Sequence, residues 1–399
     1  MTIDQKYYAH YRSSELACVS NHEDSNYTKS IEISLGQYEM LVTGKEKFSD
    51  FPNGVGLKFY EPAQPINVDG KQLIEIKNIS KVFLLTWVIN NICTNHCSYC
   101  PTSLHSGKNH HYDWNHAEKF IDECVKRYGL IKCSIAGGEP TLSPFFKDLV
   151  KKIHDNGGIN HVTSNLARSL SWWEDHVEYL SHISASYHPE FTTSQTAEDE
   201  FIEKITVLSK KIPVNVRIMM HPNYWDQCMR VFERSKDSAK NAIISIVRIL
   251  PNFGIGDPFC DINYTAEQDE ILATTELVHG KRVEGSYREL PDPETFFKFY
   301  KKKMEIQTHD AVHNLINTNN TNFKNWNCRI GLESLFVCYT GNVFRGNCNV
   351  GGAIGNITKT VNWPANHINC NKEICHCWTD VIVSKRISDR DLTSLQKML

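Results

Sequence analysis

The chain has 399 residues, with 43 Lys and Arg against 46 Asp and Glu, a formal net charge of -3, so it lacks the basic footprint of a non-specific nucleic-acid binder. A content of 41% hydrophobic, 11% aromatic and 22% charged residues is that of a folded protein rather than a disordered one, and roughly 150 residues per domain gives two to three domains. The longest strongly apolar stretch, Val82 to Ile89, is far short of the roughly 20 residues of a spanning helix, and Met1-Thr2-Ile3-Asp4-Gln5-Lys6 opens no secretory signal, so a cytoplasmic protein with no membrane and no nucleic-acid partner is expected.

Residues 1–80 hold short β-leaning runs, 30–35 and 55–60, punctuated by Pro52, Gly54, Pro62, Pro65 and Gly70, and read as an N-terminal extension. Over residues 81–250 the pattern predicts strands at 82–90, 132–136, 160–163, 182–187, 214–219 and 242–248. Helix-like segments lie between them at 115–128, 143–156, 172–180, 197–211 and 226–239. Such alternation implies βαβ units and a parallel sheet. The fold class is therefore α/β, a partial (β/α)6 parallel barrel with chemistry at the carboxyl ends of its strands. Residues 251–325 read as a connecting segment with helices: a loop over 251–258, then Pro291-Asp292-Pro293 ahead of a basic amphipathic helix ending near Lys303, then an Asn-rich connector over 314–327. The run Lys301-Lys302-Lys303 is expected to be the solvated end of that helix. Residues 326–399 predict a small cysteine-rich α+β domain around a hairpin, 335–339 with 343–345, turned by Thr340-Gly341-Asn342.

Fourteen cysteines in a chain without an export signal point to metal binding or redox chemistry rather than a disulfide framework. Nine of them fall in two groups. The first follows the first barrel strand as Cys93-Thr94-Asn95-His96-Cys97-Ser98-Tyr99-Cys100. Three thiolates in one short loop can take three irons of a [4Fe-4S] cube and leave the fourth iron open to a ligand. The alternative is a zinc knuckle with His96 as the fourth ligand. At the end of the second strand stands Gly137-Gly138-Glu139-Pro140. Its glycines let backbone approach a ligand, Glu139 offers an acceptor for an ammonium group, and Pro140 fixes the turn.

The two motifs, each at the carboxyl end of a predicted strand and in this order, resemble the radical S-adenosylmethionine (radical SAM) superfamily over residues 82 to about 250. The resemblance implies that Cys93, Cys97 and Cys100 bind a [4Fe-4S] cluster whose open iron is chelated by the methionine amino and carboxylate groups of S-adenosylmethionine (SAM). It places Tyr99 beside adenine, although ordinary loop packing is an equal alternative. Gly137, Gly138 and Glu139 fall at the methionine ammonium. Ser164, Asn165, Ser186, His188 and Arg217 fall at levels where the family contacts ribose, carboxylate or substrate; His188 could equally be a turn residue ahead of Pro189, and Arg217 a structural ion pair. An external electron donor such as a flavodoxin or ferredoxin would supply the electron that cleaves SAM to methionine and a 5′-deoxyadenosyl radical, which takes a hydrogen atom from the substrate.

The second group comprises Cys328, Cys338, Cys348, Cys370, Cys375 and Cys377. It resembles the auxiliary-cluster domains of the same superfamily called SPASM and, in shorter form, twitch. Those domains usually show G-x4-C, whereas Gly341 to Cys348 is G-x6-C. The shorter set of thiols implies one auxiliary [4Fe-4S] cluster, with Cys328, Cys348, Cys370, Cys375 and Cys377 competing for it and Cys338 read as core. Structural zinc on the same thiols is the alternative. Cys18, Cys124, Cys133, Cys228 and Cys260 are expected to be small core residues.

The leading functional expectation is an enzyme that oxidises, or rearranges the carbon skeleton of, a small metabolite, sugar or nucleotide. The second is modification of a peptide, by cross-linking or oxidation, with residues 1–80 holding the peptide. The third, from another class, is a non-enzymatic zinc-binding interaction protein.

Overall fold

A computed structural model describes residues 63–393 apart from 250–259, 282, 284–294, 308–311, 313–314, 317, 319, 376 and 390, together with the backbone of four strands between 7 and 60. Those strands, β1 (Tyr7–Tyr11), β2 (Leu16–Asn21), β3 (Ser30–Ser34) and β4 (Lys58–Tyr60), form one antiparallel sheet in the order β1-β2-β3-β4. A short hairpin, β5 (Ile66–Val68) and β6 (Lys71–Asn78), follows.

Six strands then alternate with helices. They run β7 (Phe83–Val88), α1 (Trp114–Tyr128), β8 (Ile131–Ala136), α2 (Phe146–Asp155), β9 (Ile159–Ser164), α3 (Leu170–Glu174), β10 (His182–Tyr187), α4 (Gln195–Leu208), β11 (Val214–Met219), α5 (Trp225–Ser238) and β12 (Ile243–Val247). The strands pair in parallel and in sequence order from β7 to β12, which is the expected partial (β/α)6 arrangement. The core follows from period-two patterning. Leu85, Trp87, Cys133, Ile135, Val162, Ile183, Ala185, Val216 and Ile218 are buried in one cluster with Phe120 and Ile121 of α1, Leu149 and Val150 of α2 and Phe201 and Ile205 of α4. That face holds the sheet to its helices and leaves the other face, at the carboxyl ends, to the site.

The expected helix over 172–180 is broken. α3 ends at Glu174 and a single 3-10 turn covers Val177–Tyr179, with His176 Nδ1 2.7 Å from the Trp172 carbonyl.

After β12 comes α6 (Ala266–Thr274); the loop expected at 251–258 lies outside the described residues. The basic helix expected to end near Lys303 is instead a hairpin, β13 (Thr295–Phe299) and β14 (Met304–Gln307), with β13 also paired to β6. Thr295, Phe297 and Phe299 are buried and Phe296 and Lys298 less so. That is the alternation of a strand, which the lysines had disguised as a helix face. The three lysines are exposed in the turn, where Lys301 has a φ of 56°.

The C-terminal segment adds β15 (Asn327–Cys328), β16 (Ser334–Val337), β17 (Asn342–Phe344), β18 (Ala353–Asn356), β19 (Ile368–Asn369), α7 (Trp378–Ile382) and β20 (Lys385–Arg386). The hairpin is present as β16 and β17, but β16 also pairs in parallel with β7, so β16-β17-β18 extends the barrel sheet past its first strand. β15 and β20 pair with each other, and β20 with β6.

Candidate active site

The carboxyl ends of the strands enclose a cavity of about 420 Å³. Ala136 of β8, Thr163 of β9, Ser186 of β10, Arg217 and Met219 of β11 and Val247 of β12 reach it. The cysteine loop closes one wall with Cys93, Cys97, Tyr99 and Cys100. Gly137, Gly138, Ser164, Asn165 and His188 complete the group of candidates that the fold brings together.

The two glycines serve a purpose the sequence does not announce. A Cβ on Gly138 would lie 2.5 Å from the Ile92 carbonyl oxygen and 2.6 Å from that of Leu104, and one on Gly137 would lie 2.8 Å from the Asn90 carbonyl oxygen. The loop after β8 thus packs backbone to backbone against the cysteine loop, with Gly138 N–H donating to Asn90 O at 3.0 Å and Glu139 N–H to Ile92 O at 2.8 Å. Close approach is needed first between two segments of the protein itself.

Glu139, expected as an ammonium acceptor, is already hydrogen-bonded within the protein. It is fully buried and is not part of the cavity wall. One carboxylate oxygen accepts Thr141 N–H at 3.1 Å, Thr141 Oγ1 at 2.5 Å and Ser164 Oγ at 2.9 Å; the other accepts Ser164 Oγ at 3.0 Å and Asn165 N–H at 2.8 Å. Burial raises its pKa and these donors oppose the rise. Its lone pairs are spent on clamping the ends of β8 and β9 together. Ser164 is likewise committed, donating to Glu139 and accepting Leu166 N–H at 2.9 Å.

The three loop thiols share the cavity wall. Burial pushes Cys97 up to about 12, with Glu190, Cys100 and Cys93 adding to the rise; Cys100 is pushed up to about 11 by burial and by Cys93. Three such thiols cannot ionise together without a cation, and a cationic cluster is what would draw off their protons. Among the described residues no three His, Cys, Asp or Glu side chains close on a single-ion position. Three convergent thiols on a cavity that keeps free space beside them fit a [4Fe-4S] cluster with an open iron.

The aromatic shell is ordered around them. Tyr99 is buried, its hydroxyl 2.9 Å from His188 Nδ1 with the two rings near parallel. The same nitrogen is 3.5 Å from Cys97 Sγ. Burial, and then the charge of Arg217, lower His188 from 6.5 to about 4, so the ring is neutral near pH 7. Arg217 faces the cavity with no carboxylate paired to it among the described residues, so the structural ion pair considered for it is not seen there.

Sequence reasoning missed the outer brace of the cysteine loop. Ser98 N–H donates to Glu190 Oε2 at 2.9 Å, and His221 Nε2 lies 3.5 Å from Ser98 Oγ and 3.9 Å from Glu190 Oε1. His96 pairs with His105 at 3.1 Å between Nδ1 atoms, and His105 Nε2 is 3.1 Å from the Cys100 carbonyl. Nothing in the spacing of residues so far apart could have joined them; only the barrel closes that distance.

In the C-terminal segment, Cys328, Cys370 and Cys375 are buried in one apolar cluster with Phe323, Trp326 and Val381, and Cys348 packs against it. Burial pushes Cys328 up to about 11, and Cys370 adds to the rise. Burial also raises Cys348 and Cys375; Asp380, Cys328 and Cys370 press on Cys348, and Asp380, Cys328 and Cys348 on Cys375. Burial, and then Asp380, raise Cys377 as well, and its Sγ accepts from Asn347 Nδ2 at 2.8 Å. Cys338, expected in the core, is half-buried beyond the end of β16 with Sγ 2.9 Å from Thr340 Oγ1. Cys124, Cys133 and Cys228 are core residues and Cys260 is half-buried. The side chain of Cys18 lies outside the described residues.

Residues 87–247 match the family model of the Radical SAM superfamily. Over 157 residues the chain is 25% identical to GTP 3',8-cyclase of Photorhabdus laumondii subsp. laumondii, a stretch covering 36% of this chain and 48% of that protein. It therefore spans about half the length of that curated relative. Among solved structures it is similar to Streptococcus suis SuiB bound to precursor peptide SuiA, at 12% identity and a TM-score of 0.43 over 99% of this chain and 90% of that one. It is also similar to native anSMEcpe with bound AdoMet and Kp18Cys peptide, at 16% identity and a TM-score of 0.44 over 70% of this chain and 78% of that one.

Proposed function

We propose that this chain, which belongs through residues 87–247 to the Radical SAM superfamily and is an enzyme, binds SAM in the cavity at the carboxyl ends of β8 to β12 and oxidises a polypeptide that reaches the cavity mouth. The observation that carries the chemistry is the set of Cys93, Cys97 and Cys100 on one wall of that cavity. A [4Fe-4S] cluster held by these thiols, with SAM, supplies reductive cleavage to methionine and a 5′-deoxyadenosyl radical. The chain's own residues position and exclude. The carbonyl oxygens of Gly137 and Gly138 take the methionine ammonium, Arg217 takes the carboxylate, and Tyr99, braced by the neutral His188, lies against adenine. Cys328, Cys348, Cys370 and Cys375 would hold one auxiliary [4Fe-4S] cluster, which would supply an acceptor for the electron left on the substrate and so make the net reaction an oxidation.

The substrate class follows from space and from backbone. A cavity of about 420 Å³ is room for one ligand of drug size, and SAM occupies it. The reacting group of the substrate then enters from the open side, which suits a side chain carried on a longer polymer. The antiparallel sheet β1-β2-β3-β4 has at β1 an outer strand with no further strand beside it among the described residues, and an extended peptide can complete such an edge. These two features favour the peptide over the small metabolite expected first from the sequence.

The test is an anaerobic reaction with dithionite, SAM and a panel of short synthetic peptides. The expected outcome is 5′-deoxyadenosine together with a peptide lighter by two hydrogens, both abolished by Cys97→Ala. Release of 5′-deoxyadenosine that depends on a nucleotide such as GTP, and not on any peptide, would restore the small-molecule reading. Cleavage that survives Cys97→Ala would remove the cluster assignment itself.

A further inference from the structure

Lys385 is 3% exposed, an unusual place for an ammonium group. It sits on β20 directly across from Cys328 on β15, the two being register partners. Nζ donates to the carbonyl oxygens of Asp380 at 2.8 Å, Val381 at 2.7 Å and Val383 at 2.7 Å. Its fourth neighbour is the face of Phe323, 4.7 Å from ring centre to Nζ. Every one of these contacts accepts from or attracts a cation. The three protons of a charged ammonium are fully used and none is left for a carboxylate, and no ion pair to Lys385 exists among the described residues. A buried cation without a bound anion is costly, so the charge must be balanced across space. The groups nearest to balance it are its register partner Cys328 and the thiols of Cys370 and Cys375, which share one apolar cluster with Phe323, and the buried Asp380 on the same short helix as its cradle.

We propose that Lys385 is the fixed counter-cation of the C-terminal thiol centre, offsetting thiolate charge and holding the reduction potential of the auxiliary cluster up. This rests on the reading of Cys328, Cys348, Cys370 and Cys375 as ligands of a [4Fe-4S] cluster. Each electron added to a cluster adds negative charge, and a positive charge held nearby in a low-dielectric core favours the reduced state. The helix α7 supplies the geometry, since the carbonyls at its C-terminal end form the cradle that keeps Nζ from turning toward solvent. The carbonyl cradle fixes the cation without pairing it to a carboxylate, and the buried Asp380, whose carboxylate accepts Asn347 N–H and Cys348 N–H, shares its field with the sulfurs.

The test is a redox titration followed by electron paramagnetic resonance in a full-length chain carrying Cys93→Ala, Cys97→Ala and Cys100→Ala, so that only the auxiliary signal remains. In that background Lys385→Gln removes the charge while keeping donors for the carbonyls, and Lys385→Arg keeps the charge. The expected result is a midpoint potential shifted down by Lys385→Gln and held near the parent value by Lys385→Arg. Loss of the cluster's iron in the Gln variant with retention in the Arg variant would equally support a counter-cation. An unchanged potential in Lys385→Gln, or loss of the cluster in both variants, overturns the proposal and leaves Lys385 a packing residue. A parent chain with no iron at all and no signal would instead show that the auxiliary-cluster reading had failed, before Lys385 was tested.

Discussion

Ser164 donates its hydroxyl to both carboxylate oxygens of Glu139, at 2.9 and 3.0 Å, and so ties the end of β9 to the loop after β8 at the edge of the cavity. This bond joins two motifs that the sequence separates and commits Glu139 to clamping them.

Glu139→Ala is therefore expected to lower stability. It strands Thr141 N–H, Ser164 Oγ and Asn165 N–H, and a buried group left without its partner costs about 1–3 kcal/mol. SAM affinity should fall with it, because Asn165 and Gly138 lose their fixed positions, while Ser164→Ala should show a smaller version of both effects. Urea unfolding beside a calorimetric SAM titration reads the two. Lost affinity at unchanged stability would return Glu139 to direct contact with the methionine ammonium.

Gly138→Ala should act on iron. The added methyl has backbone carbonyls of Ile92 and Leu104 within 2.6 Å, and neither can rotate away as a side chain would, so the cysteine loop must shift. Overpacking of this kind typically costs about 1–3 kcal/mol. Reconstituted protein should keep the auxiliary iron and lose part of the first cluster, seen as a drop in iron content and in visible absorbance. Full iron with unaltered SAM cleavage would mean that the two loops can part without consequence.

His188 gives a pH signature in the cluster-free protein. Its pKa is lowered from 6.5 to about 4 by burial and then by Arg217, so the unfolded chain takes up its proton first as pH falls. The stability that the neutral ring contributes is complete above 6.5 and is lost as pH falls toward 4, to a total of roughly 3 kcal/mol. His188→Asn should flatten that part of the pH profile in chemical denaturation. A profile identical to that of the parent would show that the ring gains a counter-charge on protonation.

The barrel was legible because its signals are local: β10 and β11 run over the residues expected of them, 182–187 and 214–219. The cysteine loop was legible for the same reason. Lys301, Lys302 and Lys303 misled because they lie in the turn of a hairpin whose pairing with β6 spans more than two hundred residues, a contact no window contains. Glu139 is a different case. The motif was visible, but its two serving residues, Ser164 and Asn165, follow the next strand, and only their hydrogen bonds reveal that the carboxylate is already satisfied. The pairing of β16 with β7 was hidden likewise, since a hairpin signal says nothing of what lies beyond its outer edge.

The proposed ligand set takes four of the five C-terminal thiols and leaves Cys377 out. Cys328, Cys370 and Cys375 belong to a single buried cluster against which Cys348 packs, whereas Cys377 is engaged by the Asn347 amide at 2.8 Å and precedes α7. If four thiolates close one cube, Cys377→Ser should leave about eight irons per chain after reconstitution, as two cubes require, while Cys375→Ser should leave nearer four and remove the auxiliary signal. SAM cleavage in the absence of substrate should survive in both, because the first cluster is untouched, and oxidation of substrate should fail in Cys375→Ser. Loss of iron in Cys377→Ser with retention in Cys375→Ser would exchange their roles. One zinc per chain with four irons, in the parent, would make the C-terminal centre structural and leave the radical chemistry to the barrel.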